Sequence, residues 1–161
     1  MTGRRFHLVS LLGTSPGTPH TTACKLQEEG VEIEAYTIVA TVEQHARQAA
    51  EILTQCPCPH TGKPPTNRQP HIILLPFTDV DTPEKLRTLR RTLSKLLTDT
   101  TILDVTGGRK IMAVAAALEA LQHGASIVAT ILPDQLYDKI RRADKPCEKT
   151  APQHAKLVIL A

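Results

Sequence analysis

The residues best suited to chemistry form one short stretch, Asp104-Val105-Thr106-Gly107-Gly108-Arg109-Lys110, named here the GGRK turn. It follows an apolar strand-like run and precedes an alanine-rich helix-like run, so it occupies a strand-to-helix turn. Glycines let backbone N–H groups approach a phosphate, and a helix N-terminus adds partial positive charge. The cations there oppose the helix dipole by about 0.3–1 kcal/mol each, which a bound anion would offset. The stretch predicts an anion site; the alternative is a tight turn with two solvated cations.

A second polar turn follows the strand-like run at 6–12 and is named here the GTSPG turn, Gly13-Thr14-Ser15-Pro16-Gly17-Thr18. It matches neither the P-loop pattern nor the dinucleotide pattern G-x-G-x-x-G, which argues against an ATPase or an NAD enzyme. Its hydroxyls suit a ligand, although hydroxyls also cap helices. Both turns are expected at the carboxyl ends of strands, where open α/β sheets bind ligands, and we predict a phosphate-bearing ligand.

The elements that must position these turns alternate along the chain. Apolar runs predict strands at 6–12, 31–41, 71–77, 100–105, 125–132 and 156–160, and helical periodicity predicts helices at 21–29, 42–54, 82–96 and 110–123, with a short basic segment at 135–142. The strand at 71–77 is expected to be buried. Alternation of this kind predicts a three-layer α/β fold with a mainly parallel sheet. We expect one domain over 1–161, with a core at about 4–133 and a C-terminal extension at 134–161.

Composition narrows the class of partner. The net charge is +3, and only 2% of the 161 residues are aromatic. This balance suits a small anion better than a duplex or a stacked single strand, so no direct DNA binding is expected. No apolar run is long enough for a membrane span, and we expect a cytoplasmic protein with reduced thiols.

A proline-rich segment holds two of the four cysteines, in the order Cys56-Pro57-Cys58-Pro59-His60. Its prolines exclude a helix or a central strand and predict a loop. Zinc binding would need a distant fourth ligand such as Cys24 or Cys147, and the C-x-C spacing is shorter than usual, so no metal site is expected. The loop is either solvated or able to close over a ligand through Lys63 and Arg68.

The two turns together resemble the CRISPR-associated Rossmann-fold family. The resemblance is carried by Leu11-Leu12-Gly13-Thr14-Ser15-Pro16-Gly17 paired with the GGRK turn, and it extends over about residues 4–133. Domains of this family bind cyclic oligoadenylate second messengers. The match is especially close to the standalone ring nucleases that degrade cyclic tetra-adenylate.

The resemblance implies a role for each matching residue. Ser15 and Lys110 would be the catalytic residues, and the amides of the glycines at 107 and 108 would hold a phosphate. The remaining ligand-binding positions would be Gly13, Thr14, Pro16, Gly17, Thr106, Gly107, Gly108 and Arg109. Family members form homodimers, so the two-fold symmetric ring would lie across the dimer axis.

The implied chemistry uses no metal or other cofactor, because a ribose 2′-hydroxyl attacks its own neighbouring phosphate. The products would be linear di-adenylates that end in a 2′,3′-cyclic phosphate. Neither turn contains a histidine that would act as a general base; His20 is the nearest candidate, and the alternative for it is a surface histidine.

Larger sensors of the family carry an effector domain, for which residues 134–161 are too few. We therefore expect destruction of the messenger, which would switch off a type III CRISPR response. Three alternatives stay open: a protein that binds the ring without cleaving it, a sensor subunit that recruits a partner or DNA, and another nucleotide-binding α/β protein.

Overall fold

The computed structural model describes residues 4–161, in which a six-stranded sheet is the central layer. Its strands are β1 (Arg5–Leu11), β2 (Glu32–Ala40), β3 (His71–Leu74), β4 (Thr101–Asp104), β5 (Ser126–Ile131) and β6 (Lys156–Ile159). Their order is β3-β2-β1-β4-β5-β6, and only the pairing of β6 with β5 is antiparallel. The predicted Rossmann-like α/β fold with a mainly parallel sheet is confirmed.

Helices occupy the connections between successive strands. They are α1 (Thr18–Glu28), α2 (Glu43–Gln55), α3 (Pro83–Ser94), α4 (Lys110–Gln122) and α5 (Asp134–Arg142). Helices α1 to α4 connect the parallel strands, and α5 follows β5 in the connection to the antiparallel strand β6. The predicted start of α3 is confirmed, because the Thr82 hydroxyl accepts the Lys85 N–H at 3.2 Å. None of the helices within residues 4–161 is both long and apolar enough to span a bilayer.

Successive β1 side chains enter different cores, one on each face of the sheet. Leu8 packs in the core that includes α1 and α2, where small residues such as Ala46 and Ala49 allow close approach. Val9 packs on the opposite face, with Leu89 of α3 and Ala116 of α4. Strands that are buried on both faces read as continuous apolar runs, which explains why β1 and β4 were visible in the sequence.

Strand β3 differs from its prediction in length and in burial. It ends at Leu74, three residues before the predicted end, after which the Leu75 N–H donates to the Ala40 carbonyl at 2.8 Å. Pro76 follows and has no N–H to continue a ladder. The prediction of a buried strand is wrong, because β3 lies at the edge of the sheet with His71 and Leu74 exposed. An apolar composition does not reveal which strand lacks a neighbour.

The four cysteines are paired, and the expectation of reduced thiols is wrong for this structure. One disulfide joins Cys24 of α1 to Cys58, and the other joins Cys56 to Cys147. The two cysteines lie 34 residues apart in the first pair and 91 residues apart in the second. Only the packing of α1, α2 and the C-terminal segment therefore brings their sulfurs together. The intervening segment at 56–70 has no helix or strand, as predicted.

The C-terminal segment returns to the sheet after α5. Two short 3₁₀ helices, Pro146–Glu148 and Pro152–His154, lead into β6. A small apolar cluster holds this region in place and consists of Leu132, Ile140, Ala151 and Ala155. The last strand then pairs with β5, so residues of the predicted extension share the sheet with the predicted core.

Candidate functional site

The GTSPG and GGRK turns pack directly against each other, backbone to backbone. They follow β1 and β4, which are hydrogen-bonded neighbours, so both lie at the same edge of the sheet. A Cβ on Gly13 would collide with the Gly107 carbonyl, and a Cβ on Gly107 would lie 2.5 Å from the Leu11 carbonyl oxygen. Only glycine permits this approach at either position.

Ser15 lies in the GTSPG turn, and its side chain does not cap helix α1. Helix α1 begins at Thr18, and its N-cap residue, Gly17, makes no side-chain cap. The Ser15 carbonyl accepts the N–H and the hydroxyl of Thr18, at 3.3 and 3.2 Å. Ser15 is 8% exposed, and within residues 4–161 its hydroxyl forms no hydrogen bond. The hydroxyl is therefore available to a ligand.

A buried carboxylate shapes the start of the GGRK turn. Asp104 accepts the N–H and the hydroxyl of Thr106, at 3.0 and 2.5 Å, and the hydroxyl of Ser10 at 3.2 Å. Burial raises the pKa of the Asp104 carboxyl, against the opposing effect of these hydrogen bonds. The Thr106 oxygen also accepts the Thr130 N–H at 2.9 Å, so this hydroxyl is used inside the protein.

The two cations of the GGRK turn have different surroundings. Arg109 forms an ion pair with Asp79, with Nη1 3.0 Å from Oδ2, and both side chains are largely exposed. Lys110 is the first residue of α4, whose first turn has no acidic residue. In the described part of the chain, no carboxylate oxygen lies within 4.0 Å of the Lys110 amine. An exposed lysine at a helix N-terminus is unfavourable by itself and becomes favourable when an anion binds.

A cavity of about 90 Å³ adjoins both turns. Three of the predicted ligand-binding residues line it: Gly13, Thr14 and Arg109. The sequence analysis missed the polar residues that complete it, which are Thr41, His45, Thr78 and Asp79. Three of them lie in the loops after β2 and β3, and His45 lies in the first turn of α2. The rule that ligands bind at the carboxyl ends of parallel strands would have found these positions if it had been applied to β2 and β3 as well. A larger hollow beside Arg5 and Glu34 lies where β1 and β2 begin, away from both turns.

Two other predicted ligand-binding positions have contacts inside the protein. A Cβ on Gly108 would lie 3.1 Å from Leu11 Cδ1, so this glycine packs on a side chain of β1. A Cβ on Gly17 would collide with the Lys149 carbonyl, which places the C-terminal segment across this end of the GTSPG turn. Pro16, the residue before Gly17, is buried at the same place.

His20 is buried, at 1% exposure, so the expectation of a surface histidine is wrong. Its Nε2 lies 2.8 Å from the Cys56 carbonyl oxygen and its Nδ1 lies 2.9 Å from the Thr150 hydroxyl. Burial lowers the pKa of His20, which favours the neutral ring. Because both ring nitrogens have protein partners, His20 has no nitrogen to offer to a ligand as a general base.

The cysteine segment does not present thiolates to a metal. The ligand atoms of His20, Cys24 and Cys58 lie within 4.8 Å of one another, which is close enough for a shared ion. However, Cys24 and Cys58 form one disulfide and Cys56 forms the other, and zinc binds the thiolate form of cysteine. The ligand set that the sequence suggested, Cys56, Cys58 and His60, is therefore not available in this form of the protein.

An apolar face runs along α4 from the GGRK turn outward. Its members are largely exposed: Ile111 at 62%, Val114 at 61%, Leu118 at 50% and Leu121 at 58%. They recur at the helical spacing of three and four residues, so they lie on one side of α4. A hollow of about 290 Å³ on this face is lined by Leu86 and Arg90 of α3 together with Lys110 and its neighbours on α4.

Comparison with known proteins gives one informative match. No protein-family model matches the chain. The chain is similar to the CRISPR system ring nuclease SSO2081 of Saccharolobus solfataricus, at 34% identity over 138 residues that cover 84% of this chain and 76% of the relative. Together with the Rossmann-like fold, this similarity agrees with the resemblance that the two turns carry in the sequence. The chain therefore belongs to the family of standalone CRISPR ring nucleases built on the CRISPR-associated Rossmann fold.

Proposed function

We propose that this chain is a metal-independent ring nuclease that binds cyclic tetra-adenylate across a homodimer and cleaves it into linear di-adenylates with a 2′,3′-cyclic phosphate. In the cytoplasm this reaction would switch off type III CRISPR signalling. The observation that carries the proposal is the backbone-to-backbone packing of Gly13 against Gly107. This packing holds the turn with Ser15 beside the turn with Lys110, in a member of the ring nuclease family.

The turns offer a cradle for phosphate. The N–H groups at the start of α4 have no intrahelical acceptor, and the α4 cap residue, Arg109, supplies no side-chain acceptor either. Backbone N–H groups and the positive end of the helix dipole both favour an anion there. The amides of Gly107 and Gly108 and the charge of Lys110 would bind one phosphate of the ring.

The attacking and leaving groups of the reaction both belong to the ring, and water carries the protons. The ribose 2′-oxygen attacks the adjacent phosphorus while its hydroxyl proton passes to water. The bond from phosphorus to the 5′-oxygen breaks, and the 5′-oxygen takes up a proton from water, so that no proton is gained or lost overall. Negative charge accumulates on the phosphoryl oxygens in the transition state, where the Lys110 ammonium would stabilise it. The free Ser15 hydroxyl would orient the 2′-hydroxyl or donate to a phosphate oxygen, which keeps attacking and leaving groups in line.

The exposed face of α4 supports the homodimer. Its four apolar residues form a contiguous surface of the kind that marks a protein interface in soluble proteins. Lys110 begins the helix and Ile111 is the first member of the face, so an isologous contact whose two-fold axis runs along the two α4 helices would bring both Lys110 residues near that axis. Such a placement matches a ligand that is itself two-fold symmetric.

The test is cleavage of labelled cyclic tetra-adenylate in excess EDTA, with the products resolved over time. We expect linear di-adenylate with a cyclic phosphate end. Lys110→Ala should reduce kcat by about 10²–10³-fold, the typical effect of removing a donor to transition-state charge, and Ser15→Ala should also reduce it. The matched controls are Ser94→Ala, at the last residue of α3, and Lys95→Ala, at the residue after it. Both precede the start of β4, so they lie toward the opposite edge of the sheet from the two turns, which follow β1 and β4.

The outcomes separate the proposal from its alternatives. Normal turnover in folded Lys110→Ala protein would overturn the site assignment. An intact ring that remains bound to the protein would indicate a sequestering protein or a sensor subunit. Binding of neither the ring nor its linear form would contradict cyclic tetra-adenylate as the ligand and direct the search to another ring size or another nucleotide.

A further inference from the structure

The C-terminal segment at 147–150, named here the strap, crosses the GTSPG turn two residues from Ser15. The Lys149 carbonyl occupies the space that a Cβ on Gly17 would need, and Thr150 Cα would lie 3.2 Å from the same Cβ. Gly17 is the N-cap of α1, so the strap contacts the point at which the GTSPG turn becomes a helix. A movement of the strap would therefore remove a packing contact from the turn that positions Ser15.

Two hydrogen bonds hold the strap to α1. The Thr150 hydroxyl lies 2.9 Å from His20 Nδ1 and 2.9 Å from the Thr21 hydroxyl. The Thr21 hydroxyl also lies 3.1 Å from the Gly17 carbonyl oxygen, so its single proton is shared between this oxygen and the Thr150 oxygen. Thr150, Thr21 and Gly17 thus form a chain of contacts that leads from the strap to the GTSPG turn.

Cys56 is linked to the strap in two ways. Its sulfur is bonded to Cys147, and its carbonyl lies 2.8 Å from His20 Nε2. A carbonyl only accepts hydrogen bonds, so Nε2 carries the proton of the neutral ring and Nδ1 accepts from Thr150. Opening the disulfide would leave the hydrogen bonds of Thr150 with His20 and Thr21 as the polar attachments of the strap to α1.

The two disulfides differ in their access to a reductant. Cys24, Cys56 and Cys58 are each 1% exposed or less, whereas Cys147 is exposed. Thiol–disulfide exchange requires a thiolate to reach a sulfur, so a reductant can attack only at Cys147. The Cys24–Cys58 disulfide presents no exposed sulfur and should survive mild reduction.

We propose that the Cys56–Cys147 disulfide is a redox-sensitive fastener that holds the strap against the GTSPG turn, and that a dithiol reductant opens it and slows ring cleavage. A thiolate of the reductant bonds to the Cys147 sulfur and expels the Cys56 thiolate. The second thiol of the reductant then displaces Cys147 and closes a cyclic disulfide. Two electrons pass to the protein, and two thiols result. In mesophilic organisms, the disulfides of cytosolic proteins are usually catalytic or redox-sensing.

Reduction should release only the strap, because the residues before and after it are held by other contacts. The apolar cluster of Leu132, Ile140, Ala151 and Ala155 lies on both sides of the strap in the sequence. Strand β6 follows and pairs with β5 through Lys156–Ile159. Reduction should therefore free the strap and leave the sheet and α1 folded.

Hydrogen–deuterium exchange tests the structural part without reference to any ligand. Mild dithiol treatment should open Cys56–Cys147 alone, which mass spectrometry of alkylated peptides reports. Amides at 14–22 and 145–151 should then exchange about tenfold faster or more, while those of β4 keep their protection. The double variant Cys56→Ala/Cys147→Ser should show the fast rates without reductant. Unchanged exchange at 14–22 in both samples would overturn the proposal.

The activity part rests on the proposed function. Reduction should lower kcat for cyclic tetra-adenylate by roughly tenfold to a hundredfold with a smaller change in KM, because displacement of a catalytic group by about 1 Å has effects of this size. The double variant at 56 and 147 should have low activity that reductant does not change. The matched variant Cys24→Ala/Cys58→Ala should keep its response to reductant.

The exchange and activity measurements together distinguish the disulfide proposal from the proposed ring nuclease function. Faster exchange at 14–22 in a protein that cleaves no ring in either redox state would support the fastener and overturn the ring nuclease. Equal kcat in the oxidised and reduced proteins, with the strap released, would overturn the fastener and leave the ring nuclease in place.

Discussion

The carboxyl group of Asp104 is fully buried, and its ionisation should affect the free energy of unfolding. Its pKa is raised from 3.8 by burial, although Ser10 and Thr106 donate hydrogen bonds to it. Between 3.8 and the raised value, the folded chain keeps a proton that the unfolded chain has lost. The contribution of Asp104 to the free energy of unfolding therefore decreases as pH rises through this range, by up to about 1.4 kcal/mol per pH unit.

Asp104→Asn should remove this pH dependence because an amide does not titrate. We expect the free energy of unfolding of the parent protein, relative to the variant, to decrease as pH rises from about 4 upward. Urea denaturation over a series of pH values measures both proteins. Parallel pH profiles for the two would contradict the raised pKa.

The ion pair between Arg109 and Asp79 competes with any anion for the arginine. Asp79→Asn should free the guanidinium and remove a negative charge from the cavity beside both turns. We expect the ring to bind more tightly by a few-fold, since an exposed pair is worth roughly 0.2–1 kcal/mol. Calorimetric titration at low and high salt checks this, with Asp138→Asn on α5 as the control. Weaker binding by the Asp79 variant would mean that this carboxylate itself contacts the ligand.

At the scale of elements, the connections after β1 and β4 depend on close backbone contact. Gly107→Ala should destabilise the protein by about 1–3 kcal/mol, because its Cβ would meet the immovable Leu11 carbonyl. Gly108→Ala should destabilise it less, since its Cβ would meet a Leu11 side chain that can shift. Urea denaturation ranks the two variants. Equal losses of stability would show that the two turns do not pack as described.

Most elements were predictable from local pattern. Periodicity indicated α2 and α4, and the Thr82-Pro83 pair marked the start of α3. Helix α1 begins at Thr18, three residues before its predicted start, because the chain turns into the helix at Gly17 without a hydroxyl cap. Burial of β3 was not predictable, since it depends on which strands lie beside it.

At the scale of the whole molecule, the exposed apolar face of α4 is the surface that we propose for the contact with a second copy. Val114→Glu/Leu118→Glu places charge on the apolar face of α4, and we expect it to convert a dimer into a folded monomer with little ring cleavage. Analytical ultracentrifugation gives the mass, and circular dichroism checks the fold. Ile159→Glu, at an exposed apolar position of β6, is the matched control and should remain dimeric. A monomeric parent protein, or a dimeric α4 variant, would contradict this interface.

The alternation of strands and helices, the two turns and their family resemblance could all be predicted without coordinates, because they depend on short-range propensity and on the residue types within a few positions. Which distant segments meet depends instead on the packing of the complete fold. That packing brought Gly13 against Gly107, buried His20 between Cys56 and Thr150, and paired the cysteines. These contacts follow from the order of the strands and the return of the chain after α5, and no local pattern encodes the distance between residues that lie 91 positions apart.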